Sequence, residues 1–256
     1  MKNTRLSLLA YLTRSDLERR NAGTIGGVFY VLFSPLILIF VMWVALDFGL
    51  GMRALVGPSF GIQVVIGMTI WVTFSAAIAD STYSITGSPH LVKKVLFPVE
   101  LLPIATVFAA FFVHIIILLF VILGLKLSGF LNLQAVWLLP IAAIWLLAIS
   151  IAYALIFSSL NVVLKDTQVF VHILVGIWFW LTPIIWQVSS IPEEWGWTLG
   201  LNPIAGPIEF YKCVLLGTEF SLNNEALIIA SSITFILIFS GVCIFRLLRP
   251  SFADKL

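Results

Sequence analysis

The chain has 256 residues, of which 61% are hydrophobic and only 10% are charged, and its mean hydropathy is +1.12. Soluble domains carry about 25% charged residues, so this chain has too few charges to cover a water-exposed surface. The net charge of +2 is too small for a nucleic-acid-binding protein. The two cysteines, Cys213 and Cys243, form neither a disulfide framework nor a metal-ligand pattern. The composition therefore predicts an integral membrane protein.

Charged residues divide the chain into apolar stretches of membrane-spanning length. About 20 apolar residues cross the hydrocarbon core as a helix, which satisfies its own backbone polar groups. The stretches lack the alternation of barrel strands. We therefore predict an all-α membrane protein with a single permease domain over residues 1–256. Six transmembrane helices are expected at 26–47, 61–83, 101–124, 137–161, 168–187 and 226–247.

The basic residues predict the orientation of these spans. With six spans, the two termini and the even-to-odd loops share one side of the membrane, and that side carries eleven Lys and Arg residues. The other side carries three, Arg53, Lys126 and Lys212. Because basic loops stay on the cytoplasmic side, both termini are expected in the cytoplasm.

Two segments outside the spans have features of their own. Residues 4–20 end in the basic cluster Arg14, Arg19 and Arg20, which favours a helix at the cytoplasmic membrane surface. A basic flank that only orients the first span is the alternative. In the last external region, the apolar stretch from 195 to 208 has 14 residues and is rich in Gly and Pro. It is too short to span and is interpreted as re-entrant or interfacial.

The longest internal cytoplasmic segment, residues 84–100, contains two prolines with different consequences. Pro89 can open a short helix, whereas Pro98 forces its preceding residue out of the helical region. The pattern predicts about two helical turns over 90–97. A short helix held between two spans can transmit a rigid-body movement from a bound partner. A solvated basic loop explains the composition equally well.

Four stretches resemble the permease subunit of type-2 ATP-binding-cassette exporters, in the branch that exports O-antigen, capsule or teichoic acid. They are RSDLERRNAGTIGGVFYVLFSPL (14–36), KKVLFPVELLP (93–103), NVVLKD (161–166) and LTPIIWQVSSIPEEWGWTLGLNPIAGPIEFYKCVLLG (181–217). The second and fourth are the most specific, because residue order and position between the spans both agree. Asn21, Phe29 and Lys212 depart from the residues usual in the family.

The resemblance implies roles for particular segments. Residues 88–97 would form a coupling helix that docks on a separate ATPase subunit, residues 4–20 a gate helix, and residues 189–215 an external gate. The implied coupling residues are Pro89, His90, Leu91, Lys93, Lys94, Phe97, Lys165 and Asp166, and the gate-helix residues are Arg14, Asp16, Arg19 and Arg20. The implied external-gate residues are Pro192, Trp195, Asn202, Pro203, Glu209 and Lys212. Two copies would enclose a conduit for a lipid-linked polysaccharide in the bacterial inner membrane.

No G-x-x-x-x-G-K-[ST] loop, which cradles nucleotide phosphates, occurs in the sequence. The chain is therefore expected to be a transport subunit without catalytic residues, metal or cofactor of its own. ATP and Mg would be bound by the partner ATPase. The other expected partners are a second copy of the chain, the polysaccharide and membrane lipids, but not nucleic acid.

Aromatic residues are concentrated in the first, second and fifth predicted spans. Ring faces contact sugar C–H surfaces and tolerate sliding, which suits a polymer, whereas interfacial belts and lipid-facing packing are the alternative for any single ring. The rings expected along the conduit are Phe33, Trp71, Phe74, Trp178, Trp180 and Trp186.

Two groups of polar residues carry separate expectations. His114 lies in the middle of the third span, where an uncharged imidazole bonded to a neighbouring helix is expected. Glu209 and Lys212 are three residues apart and are expected to pair.

Two other functions remain open on the sequence alone. A membrane-embedded transferase acting on a polyprenyl-linked sugar would need clustered acidic residues, whereas Asp80, Glu100 and Asp166 are scattered. A type-2 permease for teichoic acid, capsule, a drug or a small lipid would share the same architecture. The length, the lack of a large extracellular domain and the Trp-rich fifth span favour a polysaccharide.

Overall fold

The computed structural model describes residues 2–21, 28–52, 54, 57, 59–94 and 97–256, and these residues contain helices but no strand. The α-helices are α1 (Lys2–Asn21), α2 (Val28–Val44), α3 (Phe60–Tyr83), α4 (Pro89–Val92), α5 (Leu101–Leu127), α6 (Leu139–Val163), α7 (Thr167–Trp180), α8 (Ala205–Leu216), α9 (Asn224–Leu248) and α10 (Phe252–Lys255). A π-helical turn, Ala45–Gly49, extends α2, and 3₁₀ segments cover Val136–Leu138, Val188–Ser190, Glu193–Leu201 and Arg249–Ser251. The predicted all-α class is confirmed.

Five of the six predicted spans correspond to helices of membrane-crossing length. Among the described residues these are Val31–Gly49, Phe60–Tyr83, Leu101–Leu127, Val136–Val163 and Asn224–Lys255. The start of the first predicted span, at 26 and 27, lies outside the described residues.

The predicted span at 168–187 is wrong in its extent. Helix α7 has 14 residues and ends at Trp180. Pro183 follows, and a proline both lacks an N–H donor and disfavours the helical conformation of its preceding residue. At 1.5 Å per residue α7 rises about 21 Å, less than the roughly 30 Å of the hydrocarbon core.

Helix α3 occupies the centre of the bundle. It packs against α2, α5, α6, α7 and α8. In its most apolar stretch 61% of the residues are buried, compared with 11% for the stretch that includes α2 and 17% for the stretch that includes α9. The most buried span is thus the least apolar of the five, with a mean hydropathy of 1.9 against 2.3–3.0 for the others. Helix α3 therefore holds the other spans in place.

A second apolar cluster closes one end of the bundle. Leu12 of α1, Val92 of α4 and Phe252 of α10 are buried in it together with Leu102 and Phe245. Helix α1 also packs along α5, and α10 contacts both α4 and α6. Both ends of the chain therefore lie at the same end of the bundle, next to the segment predicted to couple to a partner.

The region after α7 enters the bundle and returns toward the opposite end. Tyr211 of α8 contacts His114 in the middle of α5. The C-terminal end of α8 lies beside the loop after α5, because Asn132 N–H donates to the Leu215 carbonyl at 2.8 Å. Gly217 ends α8 with φ of 70°, the left-handed conformation usual for a helix C-terminus. This path is what a re-entrant segment requires.

The spacing between α6 and α9 depends on Gly241. A Cβ at this position would lie 2.8 Å from the Ala152 carbonyl oxygen on α6. Gly241→Ala is therefore expected to force the two backbones apart and to cost about 1–3 kcal/mol of stability. The measurement is the melting temperature of the purified protein in detergent.

Gly176→Ala in α7 is the matched control, because a Cβ there meets nothing within 4 Å and alanine favours helix. Equal melting temperatures for the two variants would contradict the close packing of α6 on α9.

Candidate transport site

The end of the bundle that holds both termini presents a group of exposed charges. Lys93 and Lys94 follow α4, and Lys165 and Asp166 precede α7. All four side chains are exposed. The structure thus brings the predicted coupling residues to one end of the protein, where a partner subunit can reach them.

The predicted coupling helix over 88–97 is wrong in its extent. Helix α4 comprises only Pro89–Val92, and the chain turns at Lys93, whose N–H donates to the carbonyls of Pro89 and Leu91. Val95 and Leu96 lie outside the described residues. Pro89 opens the helix as expected, but one turn forms where two were predicted.

Apolar residues anchor this short helix to the bundle. Val92 is 7% exposed and lies in the terminal apolar cluster, against which Leu91 and Phe97 also pack. His90, Lys93 and Lys94 are exposed. The segment therefore has an inner side joined to α1, α5 and α10 and an outer side available to a partner, as a rigid coupling element requires.

The predicted gate helix lies beside the coupling segment. Arg14 Nε donates to Glu18 Oε1 at 2.8 Å, and this bond raises the pKa of the Arg14 guanidinium above its usual value. A cavity of about 400 Å³ separates α1 from the α3–α4 loop, with Asp16, Arg19 and His90 on its walls. Residues of the predicted gate helix and of the predicted coupling segment thus line one cavity. The side chain of Arg20 lies outside the described residues.

The aromatic residues predicted along the conduit fall into two sets. Trp71 and Phe74 are buried on α3, where the Phe74 ring meets the Trp178 ring edge-on with centroids 5.3 Å apart. Phe33 and Trp180 are 55% and 65% exposed. The first set holds α3 and α7 together, and the second lies on the surface of the single chain.

Sequence reasoning did not assign Tyr153 and Phe157 of α6 to this aromatic group. The Tyr153 ring lies 5.3 Å from the Trp178 ring and stacks on Phe157 at 5.7 Å. Their spacing of four residues places both on one face of α6, which was the available signal.

Asn202 fastens the segment that follows α7. Its Oδ1 accepts from Trp178 Nε1 at 3.0 Å, and its Nδ2 donates to the Leu181 carbonyl and to Thr182 Oγ1, each at 3.1 Å. One side chain therefore joins the last turn of α7, the irregular backbone beyond it and the start of the re-entrant region. Of the other predicted external-gate residues, Pro203 is buried, whereas Pro192 and Trp195 are exposed.

Glu209 and Lys212 form the predicted pair, and the pair is buried. Lys212 Nζ donates to Glu209 Oε1 at 2.8 Å and to the Pro183 carbonyl at 2.7 Å. The two side chains are 5% and 7% exposed. They border a cavity of about 860 Å³ at the end opposite the termini, next to Gln63 of α3. Lys212 therefore links α8 to the loop after α7.

His114 is bonded to two neighbouring helices. Thr73 donates its hydroxyl proton to the Thr69 carbonyl, so its oxygen accepts from His114 Nδ1 at 2.9 Å. His114 Nε2 then accepts from the Tyr211 hydroxyl at 3.0 Å. An uncharged imidazole in this tautomer uses each proton once, and its bonds to two neighbouring helices agree with the expectation from the sequence. Tyr211 was not identified beforehand, because its partner lies 97 residues away.

Comparison with known proteins identifies the class. Residues 8–216 match the family described as ABC-2 type transporter. Two proteins named O-antigen export system permease protein RfbA, from Klebsiella pneumoniae, are 28% and 27% identical to the chain, and each match covers 97% of the chain and 95% of the relative. A protein of the same name from Myxococcus xanthus is 25% identical over 252 residues, with the same coverage.

The matched region covers most of the chain and contains α3, α5 and the re-entrant segment. The fold and this match define a membrane permease, a transport component and not an enzyme. The chain belongs to the ABC-2 transporter membrane family, as the sequence resemblance predicted. Membership implies an ATP-binding-cassette partner subunit.

The buried Glu209–Lys212 pair provides a test of how the external region is held. Lys212→Met leaves the Glu209 carboxylate buried without its cation, and breaking a buried pair costs about 3–5 kcal/mol. We expect a large fall in the melting temperature of the purified protein. Adding Glu209→Gln removes the unpaired charge, so the double variant should recover most of the loss. A double variant no more stable than Lys212→Met would show that the pair is not the cause.

Proposed function

We propose that the protein is the transmembrane subunit of an ATP-driven exporter that moves a lipid-linked, O-antigen-like polysaccharide from the cytoplasm across the bacterial inner membrane. Two copies of the chain enclose the conduit, and each is driven by its own ATPase subunit. Relatives named for O-antigen export match nearly the whole chain, which supports this substrate class.

The observation that carries the proposal is the end of α7 within the depth of the bundle. The helix is too short to cross the hydrocarbon core, and residues 181–187 continue it as irregular backbone. Such backbone is tolerated at membrane depth only where it is buried in protein or lines a water-filled cavity. Thr182, Pro183 and Ile184 of this stretch are buried in protein, whereas Leu181 at its start is 64% exposed, and the proposed conduit lies beside it.

The outer face of α7 is not covered by its own chain. Phe170, Ile173, Ile177 and Trp180 are each more than half exposed and follow one another at helical spacing. With α2, whose residues are mostly exposed, this face offers a surface for a second copy and for a sliding polymer. In the proposed homodimer, one part of this surface is buried between the two copies and the other part lines the conduit.

The end that holds both termini is the side on which the ATPase docks. The eleven basic residues predicted on one side belong to the segments at this end, which supports a cytoplasmic location for it. ATP and Mg are bound by the ATPase, and the coupling segment passes the movement to α1 and α5 through the terminal apolar cluster. A teichoic acid, a capsular polymer, a drug or a small lipid is the alternative cargo, but the names of the relatives favour O-antigen.

Charge reversal of the exposed lysines tests the coupling role. The double variant Lys93→Glu and Lys94→Glu should insert and fold normally, because both side chains are exposed. Reversed charge weakens docking of the ATPase, so export should fall toward that of a strain without the permease. The measurements are surface polysaccharide on gels and ATPase activity of the co-purified complex.

Lys126→Glu is the matched control, because Lys126 is also exposed but lies at the opposite end of the bundle. Normal export by the double variant would show that the coupling assignment is wrong.

The two sets of aromatic residues predict different outcomes for tryptophan variants. Trp180→Ala removes an exposed ring and should lower export while the amount of folded protein is unchanged. Trp178→Ala removes a packed ring and the donor to Asn202, so it should lower stability first, by about 3–5 kcal/mol. Trp186 is half-buried and donates to the Trp180 carbonyl at 3.2 Å. The loss of stability in Trp186→Ala should therefore lie between the losses in Trp180→Ala and Trp178→Ala. Equal losses of folded protein for all three variants would indicate that the three rings only pack within the protein and do not contact the polymer.

A further inference from the structure

A cavity of about 690 Å³ lies between α2, α3 and α5, toward the end opposite the termini. It is within the range of about 300–1,000 Å³ that is usual for small-molecule sites. Its walls are largely apolar and include Ile39, Trp43, Val65 and Val121. Phe40 and Phe120, which are 58% and 56% exposed, stand at its rim on the outer side of the bundle. The cavity therefore opens on the side of the protein, away from the terminal apolar cluster.

A buried carboxylate is the one charged group on the walls of this cavity, as far as the described residues show. Asp47 is 4% exposed, and its Oδ1 has no hydrogen-bond partner among the residues that the structure describes. It lies in the π-helical turn Ala45–Gly49, a conformation that is frequent at functional sites.

The Asp47 carboxylate packs against Gly61 of α3. A Cβ at position 61 would lie 2.8 Å from the Asp47 carboxyl carbon and 2.6 Å from Trp43 Nε1. Glycine at this position leaves the room that the Asp47 and Trp43 side chains occupy against α3. The buried position of Asp47 is therefore determined by the packing of the π-helical turn against α3.

A buried carboxylate without a partner is costly, and it accepts hydrogen bonds without donating any. Its complement is a cation with N–H donors. Because the rest of the cavity is apolar, the complementary ligand joins such a cation to a hydrocarbon chain. An aminophospholipid has both parts.

The position of Asp47 along α2 agrees with this ligand. From Val28 to Gly49 the helix and its π-turn rise about 33 Å at 1.5 Å per residue, so Asp47 lies near one surface of a roughly 30 Å hydrocarbon core. Ammonium headgroups lie at that depth. We propose that the cavity binds a resident membrane lipid with a primary ammonium headgroup, which pairs with Asp47 while an acyl chain occupies the space between α2 and α5.

One position allows the cavity to be filled without disturbing the protein. Gly124 of α5 lines it, and a Cβ there meets nothing within 4 Å. Gly124→Leu places a side chain in the open space and also replaces glycine by a better helix former. Asp47→Asn keeps the shape of the side chain and removes its charge. The two variants separate the chain-binding part of the site from the headgroup-binding part.

The test is native mass spectrometry of the purified protein released from bilayers that contain equal amounts of phosphatidylethanolamine and phosphatidylglycerol with identical acyl chains. The wild type should retain phosphatidylethanolamine in preference to phosphatidylglycerol by about tenfold, as expected for a charge-assisted hydrogen bond. Asp47→Asn should retain lipid with no preference. Gly124→Leu should lose retention of both lipids.

The control is Ser232→Leu, an apolar substitution at an exposed position of α9 far along the chain from the cavity, which should behave as the wild type. Melting temperatures establish that each variant is folded. An unchanged lipid preference in Asp47→Asn overturns the proposal. Retention of lipid by Gly124→Leu at the wild-type level also overturns the proposal. A loss of the dimer in Gly124→Leu without a loss of lipid overturns it too, because a second copy of the chain would then be the occupant of the cavity.

Discussion

Backbone polar groups at membrane depth need hydrogen-bond partners, and this requirement shapes the region around the end of α7. Pro183 prevents α7 from continuing, which leaves carbonyl groups without helical partners. The Leu181 carbonyl accepts from Asn202, and the Pro183 carbonyl accepts from Lys212. Lys212 in turn needs Glu209, since a buried ammonium is costly without a counter-charge. The re-entrant region is thus required by the short helix, and each stabilises the other.

The same region is joined to the centre of the bundle through His114. Tyr211 on α8, His114 on α5 and Thr73 on α3 form one chain of hydrogen bonds in which every group is satisfied. Helix α3 then continues to the opposite end, where the coupling segment begins. If the proposed coupling role holds, a movement imposed on this segment acts on a helix that contacts the re-entrant region directly. Packed interiors transmit such displacements because they deform little.

Much of the fold follows from local properties of the sequence. Five long apolar runs form helices because no other structure satisfies their backbone inside a membrane, and Pro89 opens α4 as its fixed φ predicts. The same reasoning overestimated α7, because apolar residues continue to Trp186 while Pro183 ends the helix earlier. It also overestimated α4, where the chain turns at Lys93 before the second turn forms.

By itself, the sequence determined the helical class, the positions of the long spans, the family and the Glu209–Lys212 pair, since each depends on residues that are near one another along the chain or on composition. Only the tertiary structure decided which aromatic rings are buried, what His114 and Asn202 contact, and that Asp47 is enclosed against Gly61. These contacts join residues between 14 and about a hundred positions apart, so they depend on how the helices pack. Periodicity within one helix carries no information about the neighbour that its faces meet.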